Sequence, residues 1–264
     1  MEKVCELKFH EELHIQNEEQ IQFVMQPRSK GDIILFLEEG AEKVSVSVNA
    51  KESSNVKFFV QNRTNAKTQF DFHMEMDENA TCKMAILDLQ QTPMELKHKV
   101  NLNQPGADFE LYTAQLCGDD AQKVSDIEVV HQASNTTGVM HNYAVLYNRA
   151  YYEMVANGNI EKNCAQAQSH QETRVLTLGK DFKTKVIPLL LIDENDVKAS
   201  HALTIGQPDE NQLYYLQSRG LTIQQAMGLL SVGYFMPVIE FIDDEQVRQQ
   251  VEDEMERKVG IYGD

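Results

Sequence analysis

The chain has 264 residues, enough for one or two domains with a sizeable core. Its 41 acidic against 24 basic side chains leave a formal charge of −17, which argues against nucleic acid or an anionic membrane as main partner. With 42% hydrophobic and 25% charged residues it reads as a globular chain rather than a disordered one.

The opening stretch, MEKVCELKFHEELH, mixes charge with single apolar residues and lacks the apolar core of a signal peptide. The longest apolar run, Val186 to Ile192, is far too short to span a bilayer. A cytoplasmic location and no membrane partner are the resulting expectations. His10-Glu11-Glu12-Leu13-His14 matches the HExxH zinc pattern, which works only on a helix, where both histidines share a face. Cys5, Leu7 and Phe9 alternate straight into it, so a strand is expected, with the two histidines roughly 13 Å apart. The match is read as coincidence.

From Val4 to about Ile192 the pattern is strand-like almost throughout. Val44, Val46 and Val48 alternate with Ser45, Ser47 and Asn49; Phe70, Phe72, Met74 and Met76 with Asp71, His73 and Glu75; Met94, Leu96, His98 and Val100 with Glu95, Lys97 and Lys99. Gly40-Ala41, Asn79-Ala80, Gly106-Ala107 and Arg149-Ala150 each open such a run, with the alanines 39, 27 and 43 positions apart. Spacings near 20 or its multiples fit a stacked solenoid, whose two ends then need covering or pairing. The looseness of the spacing leaves a sandwich or barrel open as well.

The four cysteines, Cys5, Cys82, Cys117 and Cys164, form no CxxC and suggest neither a zinc ribbon nor a disulfide framework. One or two of them can still be ligands brought together from distant positions. Asn62, Asn79 and Asn135 each begin an N-x-Ser/Thr triplet, read as coincidental without a signal peptide. There is no P-loop, since Arg174 stands where the first glycine before Gly179-Lys180 would be, and no G-x-S-x-G elbow. Acidic residues abound, as polysaccharide-cleaving solenoids require, but nothing selects a convergent set.

After Gly206 the period changes to helical. Asp209 caps a helix ending at Arg219-Gly220, and Thr222 caps a second one carrying Ile223, Ala226, Met227 and Leu230, with Gly233 weakening its end. Pro237 stands near the start of a third segment, in which Val247, Val251, Met255 and Val259 form one apolar stripe. Between Glu240 and Lys258 eight acids face three bases. The layout is a β body over residues 1–206 and a helical segment over 207–264. At the junction, strand parity puts Val197, Ala199 and His201 on one side.

Asp196-Val197-Lys198-Ala199-Ser200-His201-Ala202-Leu203-Thr204-Ile205-Gly206 resembles the "DVKCSHGATVG" signature of the SufB/SufD family of iron–sulfur cluster assembly proteins. Asp209 to Gly220 is similar to the family's "DEEQLFYLRSRG", Ala226 to Phe235 to its "A..LL..GFF", and Gly158-Asn159-Ile160 to its "GKI" turn. The resemblance implies a mainly β fold: a right-handed parallel β-helix with a C-terminal helical segment that docks a SufC-type ABC ATPase. It implies a non-catalytic scaffold that pairs with itself or with a SufB-type chain and carries a transient iron–sulfur cluster, with none held tightly by the isolated chain. His201 matches the family histidine at the dimer interface and becomes the candidate cluster and metal ligand. Cys164 and Cys117 are the thiols nearest the matched region. Tyr214, Tyr215, Leu229 and Leu230 are the candidate ATPase contacts. Ala199 replaces a cysteine and Ala202 a glycine, which leans toward a SufD-like role. The chain is also short, without the N-terminal helical domain of long members. The segment 196–235 is expected to close the β stack and present the docking platform. The rival readings are a solenoid enzyme acting on a polysaccharide and a purely structural partner.

Overall fold

Every alternating run becomes a strand, and the strands coil. The computed structural model describes residues 1–118 and 120–260. The odd strands β1 (Glu2–Cys5), β3 (Glu19–Met25), β5 (Lys43–Ala50), β7 (Thr68–Met76), β9 (Met94–Leu102), β11 (Gln122–His131), β13 (Tyr151–Ile160) and β15 (Lys183–Ile192) form one parallel sheet in that order. The even strands β2 (Lys8–Ile15), β4 (Lys30–Leu37), β6 (Asn55–Asn62), β8 (Thr81–Asp88), β10 (Asp108–Cys117), β12 (Thr137–Leu146), β14 (Gln168–Thr177) and β16 (Lys198–Gly206) form a second. Each rung gives one strand to each sheet. This is a parallel β-helix, so sandwich and barrel both fall away. Inward residues such as Val44, Val46, Val48, Phe70, Phe72 and Met74 are fully buried in a core running along the axis. Each rung buries its inner face against the next, which accounts for a long stack without a central layer.

The turns explain the loose alanine spacing. One edge carries left-handed residues at Arg28, Ser53, Asn79, Gly106, Asn135 and Gln166, and their backbone N–H groups bond up the stack, for instance Asn79 N to Pro105 O at 3.0 Å and Asn135 N to Ala165 O at 3.0 Å. The other edge carries Gly40, Asp120, Arg149 and Asp181. Ala80 and Ala107 belong to the first edge, Ala41 and Ala150 to the second, so the sequence spacing mixes two series. The rung is also not constant: it grows from 20 residues, Glu2 to Gln22, to 32, Tyr151 to Lys183. At Gly106, with φ +76°, a side chain would strike the Asn79 carboxamide in the rung below. Gly158-Asn159-Ile160 is not a turn: it ends β13.

The helices are α1 (Glu210–Ser218), α2 (Ile223–Ile239) and α3 (Glu245–Lys258). Asp209 accepts from Asn211 N, and Thr222 with Gln225 completes a capping box. Gly233 does not end α2, and Pro237 lies inside that helix rather than at the start of the third. The proline cannot donate to the Gly233 carbonyl, but Gly233 is exposed, so water can take that bond. Asp244 caps α3, and Val247, Val251 and Met255 are buried as the stripe requires. They meet Phe235, Val238 and Ile239 of α2 and the outward apolar residues of the even sheet, among them Ile34, Phe59, Leu87, Leu116 and Val145. Gln61 and Gln90 tie α3 down by donating to Glu254 at 2.8 and 3.1 Å. The helices therefore cover a flank of the β-helix and not its end. The expected closure by 196–235 does not occur. Positions 261–264 of the helical segment lie outside the described residues.

HExxH sits on β2, as its alternation demands. His10 contacts Asp32 at 2.6 Å and His14 contacts Glu38 at 2.8 Å, two separate side-chain hydrogen bonds on the outer face.

Candidate functional site

The stack ends at both its first rung, β1 and β2, and its last, β15 and β16. At the last rung β16 pairs with β14 on one side and, among the described residues, with no strand on the other. Its entry turn is well anchored: Gln166 donates to both Asp196 carboxylate oxygens at 2.7 Å, and Glu194 accepts from Asn163 N at 3.2 Å and Asn195 N at 2.8 Å. Its exit is held by Thr177 Oγ1 donating to Gly206 O at 3.1 Å. Only a rung above is missing, so Leu203 and Ile205 on β16 and Leu191 and Ile192 on β15 stay 38–51% exposed. Such a row of apolar side chains beside unpaired backbone groups is what a sheet edge shows before pairing.

His201 lies in the middle of this edge. It is exposed and continues the inward row Leu111, Met140, Gln171. Gln171 donates to Leu189 O at 2.7 Å, and its own side-chain oxygen is buried without a partner. Ala199 follows the row of Gly138 and Ser169 and offers no sulfur.

The cysteines are placed differently. All four are reduced and buried. Cys164 lies in the turn before β14, packed with Ile160, Ala167 and Val197, and its thiol points to His131 O at 3.2 Å. Burial pushes its pKa up. Cys117 ends β10 deeper in the stack, between Ala121 O and Tyr151 O at 3.3 Å each, and burial raises it to about 11. Both are protonated thiols near neutral pH, a poor state for binding iron or attacking sulfur. Cys164 lies beneath the turn leading into β16, whereas Cys117 belongs to earlier rungs. Among the described residues no group of three or more His, Cys, Asp or Glu side chains is arranged to hold a metal. His201 is thus a single, open donor.

Beyond this edge, α1 has no buried residue. Tyr214 and Tyr215 are 74% and 56% exposed, with the Arg219 guanidinium 5.1 Å from the Tyr215 ring. Leu229 is exposed too, but Leu230 packs inward against the even-sheet cluster.

Sequence reading missed the polar interior. Lys123 and Asp88 form a fully buried ion pair, in which Asp88 also accepts from Asn62 Nδ2 at 3.0 Å and Gln90 N at 3.1 Å. His98 is pushed down to about 3 and His131 to about 4 by burial. Parity was the available signal: Lys123 shares its strand face with Ser125 and Ile127.

Fold and site define a parallel β-helix protein with one flank covered by helices and a bare last rung bearing His201. A family model described as "SUF system FeS cluster assembly, SufBD core domain" matches residues 8–234. The chain belongs to the SufBD family. It is 36% identical over 132 residues to the iron–sulfur cluster assembly protein SufD of Bacillus subtilis, which covers 50% of this chain and 30% of that protein. The SufD of Escherichia coli is 32% identical over 99 residues, 37% of this chain and 23% of the other. A chloroplastic protein of Arabidopsis thaliana, ABCI7, is 28% identical over 159 residues, 58% and 33%. The chain matches these relatives over a third of their length or less. Family membership and the parallel β-helix are thus consistent with each other.

Proposed function

We propose that this chain is a SufD-like scaffold subunit that pairs through its bare last rung and docks a SufC-type ATPase on its C-terminal helices. The observation that carries the pairing is the bare last rung, with Leu191 and Ile192 exposed on β15 and Leu203 and Ile205 exposed beside His201 on β16. Burying those side chains and satisfying the edge is what a second β-helix, identical or SufB-type, supplies. The nascent cluster is cargo at that junction. His201 offers one imidazole nitrogen to iron, with Gln171 oriented beneath it. With alanine at 199, thiolate ligands come from the partner. The chain is then a scaffold without turnover of its own, and ATP hydrolysis belongs to the docked subunit.

Docking rests on α1, which packs against α2, buries none of its residues and leaves both tyrosines exposed. Deleting 207–264 would bare the even-sheet cluster and unfold the flank, so point changes are the cleaner test. In a pull-down, Tyr214→Ala with Tyr215→Asp is expected to abolish SufC capture while leaving the circular dichroism and melting temperature unchanged. Undiminished capture by that variant refutes the docking assignment.

A further inference from the structure

The described surface holds a cleft of about 320 Å³ where the start of α2, the end of α3 and the turn after β12 converge. Its wall carries Arg257 and Lys258 from α3, Gln224 and Met227 from α2, Val259, and Tyr147. In a chain of net charge −17, the described lining contains two cations and no carboxylate. Basic side chains in a last helical turn ordinarily complement the helix dipole. Here their donors are only partly used within the protein. Arg257 spends Nε on Asp253 O at 3.1 Å, which leaves both terminal nitrogens of the guanidinium. Lys258 gives one of three N–H groups to Gln90 Oε1 at 3.0 Å. Among the described residues neither cation has an acid within ion-pair distance. The Tyr147 hydroxyl is buried beside Ser231, whose own hydrogen goes to Met227 O at 2.9 Å, so it is the tyrosine ring that faces the cleft.

We propose that this cleft binds an organic anion: a carboxylate or phosphate head held by Arg257 and Lys258, on a small apolar body against Met227, Val259 and the Tyr147 ring. The fork of Arg257 matches either head group, with the Lys258 ammonium as a point charge at its side. The space exceeds that of a bare phosphate, and the thioether, the valine and the tyrosine ring give the remainder an apolar lining. Because both cations are exposed, the expected affinity is modest, with a dissociation constant on the order of millimolar. A ligand here bridges α2 to α3 and so stabilises the helical flank by mass action.

The test uses the full chain with three probes: inorganic phosphate, butyrate and phenyl phosphate, each against sodium chloride at equal ionic strength. Amide chemical shifts in 224–227 and 255–260 and the melting temperature are read together. The proposal expects saturable shifts confined to that region, with phenyl phosphate at least threefold tighter than inorganic phosphate. Phenyl phosphate against butyrate tells which head group is preferred. Arg257→Gln with Lys258→Gln is expected to weaken binding at least tenfold, with the circular dichroism of the free protein unchanged and its melting temperature lowered by a few degrees at most. Responses equal to those of sodium chloride, or unchanged binding by the double variant, overturn the assignment. So does phosphate binding with no gain from the phenyl group.

Discussion

Replacing Leu203 and Ile205 by lysine tests the bare rung. Both side chains are already about 40% exposed in the single chain, so the substitutions leave the fold intact. Full burial of a leucine or isoleucine is worth about 1.5–3 kcal/mol, and the fraction still exposed at Leu191, Ile192, Leu203 and Ile205 is worth roughly 1 kcal/mol each. Two such edges together gain about 8 kcal/mol, enough to offset the lower range of association costs, roughly 4–15 kcal/mol. Removing Leu203 and Ile205 from one edge loses about 2 kcal/mol. Desolvating two ammonium groups adds at least as much again. A total near 4 kcal/mol is about a thousandfold in dissociation constant. Analytical ultracentrifugation of the chain alone and mixed with a SufB-type partner reads this directly, with circular dichroism as the folding control. Assembly of the double-lysine variant at wild-type concentrations would sink the assignment of this edge as the pairing surface.

The buried pair gives a second expectation. Lys123→Met alone strands the Asp88 charge in the core and is expected to cost about 3–5 kcal/mol, lowering the melting temperature by roughly 10 °C. Adding Asp88→Asn keeps an acceptor for Asn62 and Gln90 and should recover most of that loss; a further drop in the double variant contradicts the reading. His98 and His131 give a third. Their folded pKa values, about 3 and about 4, lie below the unfolded value near 6.5, so the unfolded chain binds more protons as pH falls. Stability is fully retained above pH 6.5 and falls below it by about 1.4 kcal/mol per pH unit for each histidine, until each folded pKa is reached. Chemical denaturation from pH 7 to 4.5 checks the slope, and a flat profile refutes the neutral burial of these rings.

Strand parity carried most of the fold. Phe70, Phe72 and Met74 had to face one way, and their burial is what coils the sheet. The caps were equally legible, because Asp209 and Thr222 act on neighbours two or three residues away. What sequence hid was long-range. Turn spacing looked irregular because two edges are interleaved and the rung lengthens along the stack. Pro237 reads as a breaker, yet tertiary packing of Phe235, Val238 and Ile239 carries α2 through it. For the site, the resemblance brought His201 forward, and the structure sets it on an open edge. Cys117 and Cys164 are near in sequence to the matched region but are buried thiols on other rungs. The acid–base pair at Asp88 and Lys123 lies 35 residues apart, beyond any local pattern.

A share for His201 in holding the cluster at the bare rung is read from iron and acid-labile sulfide in the anaerobically isolated complex. Wild type is compared with His201→Ala at matched subunit stoichiometry. The expected result is an intact complex with several-fold less iron and sulfide and slower transfer to an acceptor. Equal iron, sulfide and transfer in the two complexes would make His201 a structural residue and place the cluster elsewhere.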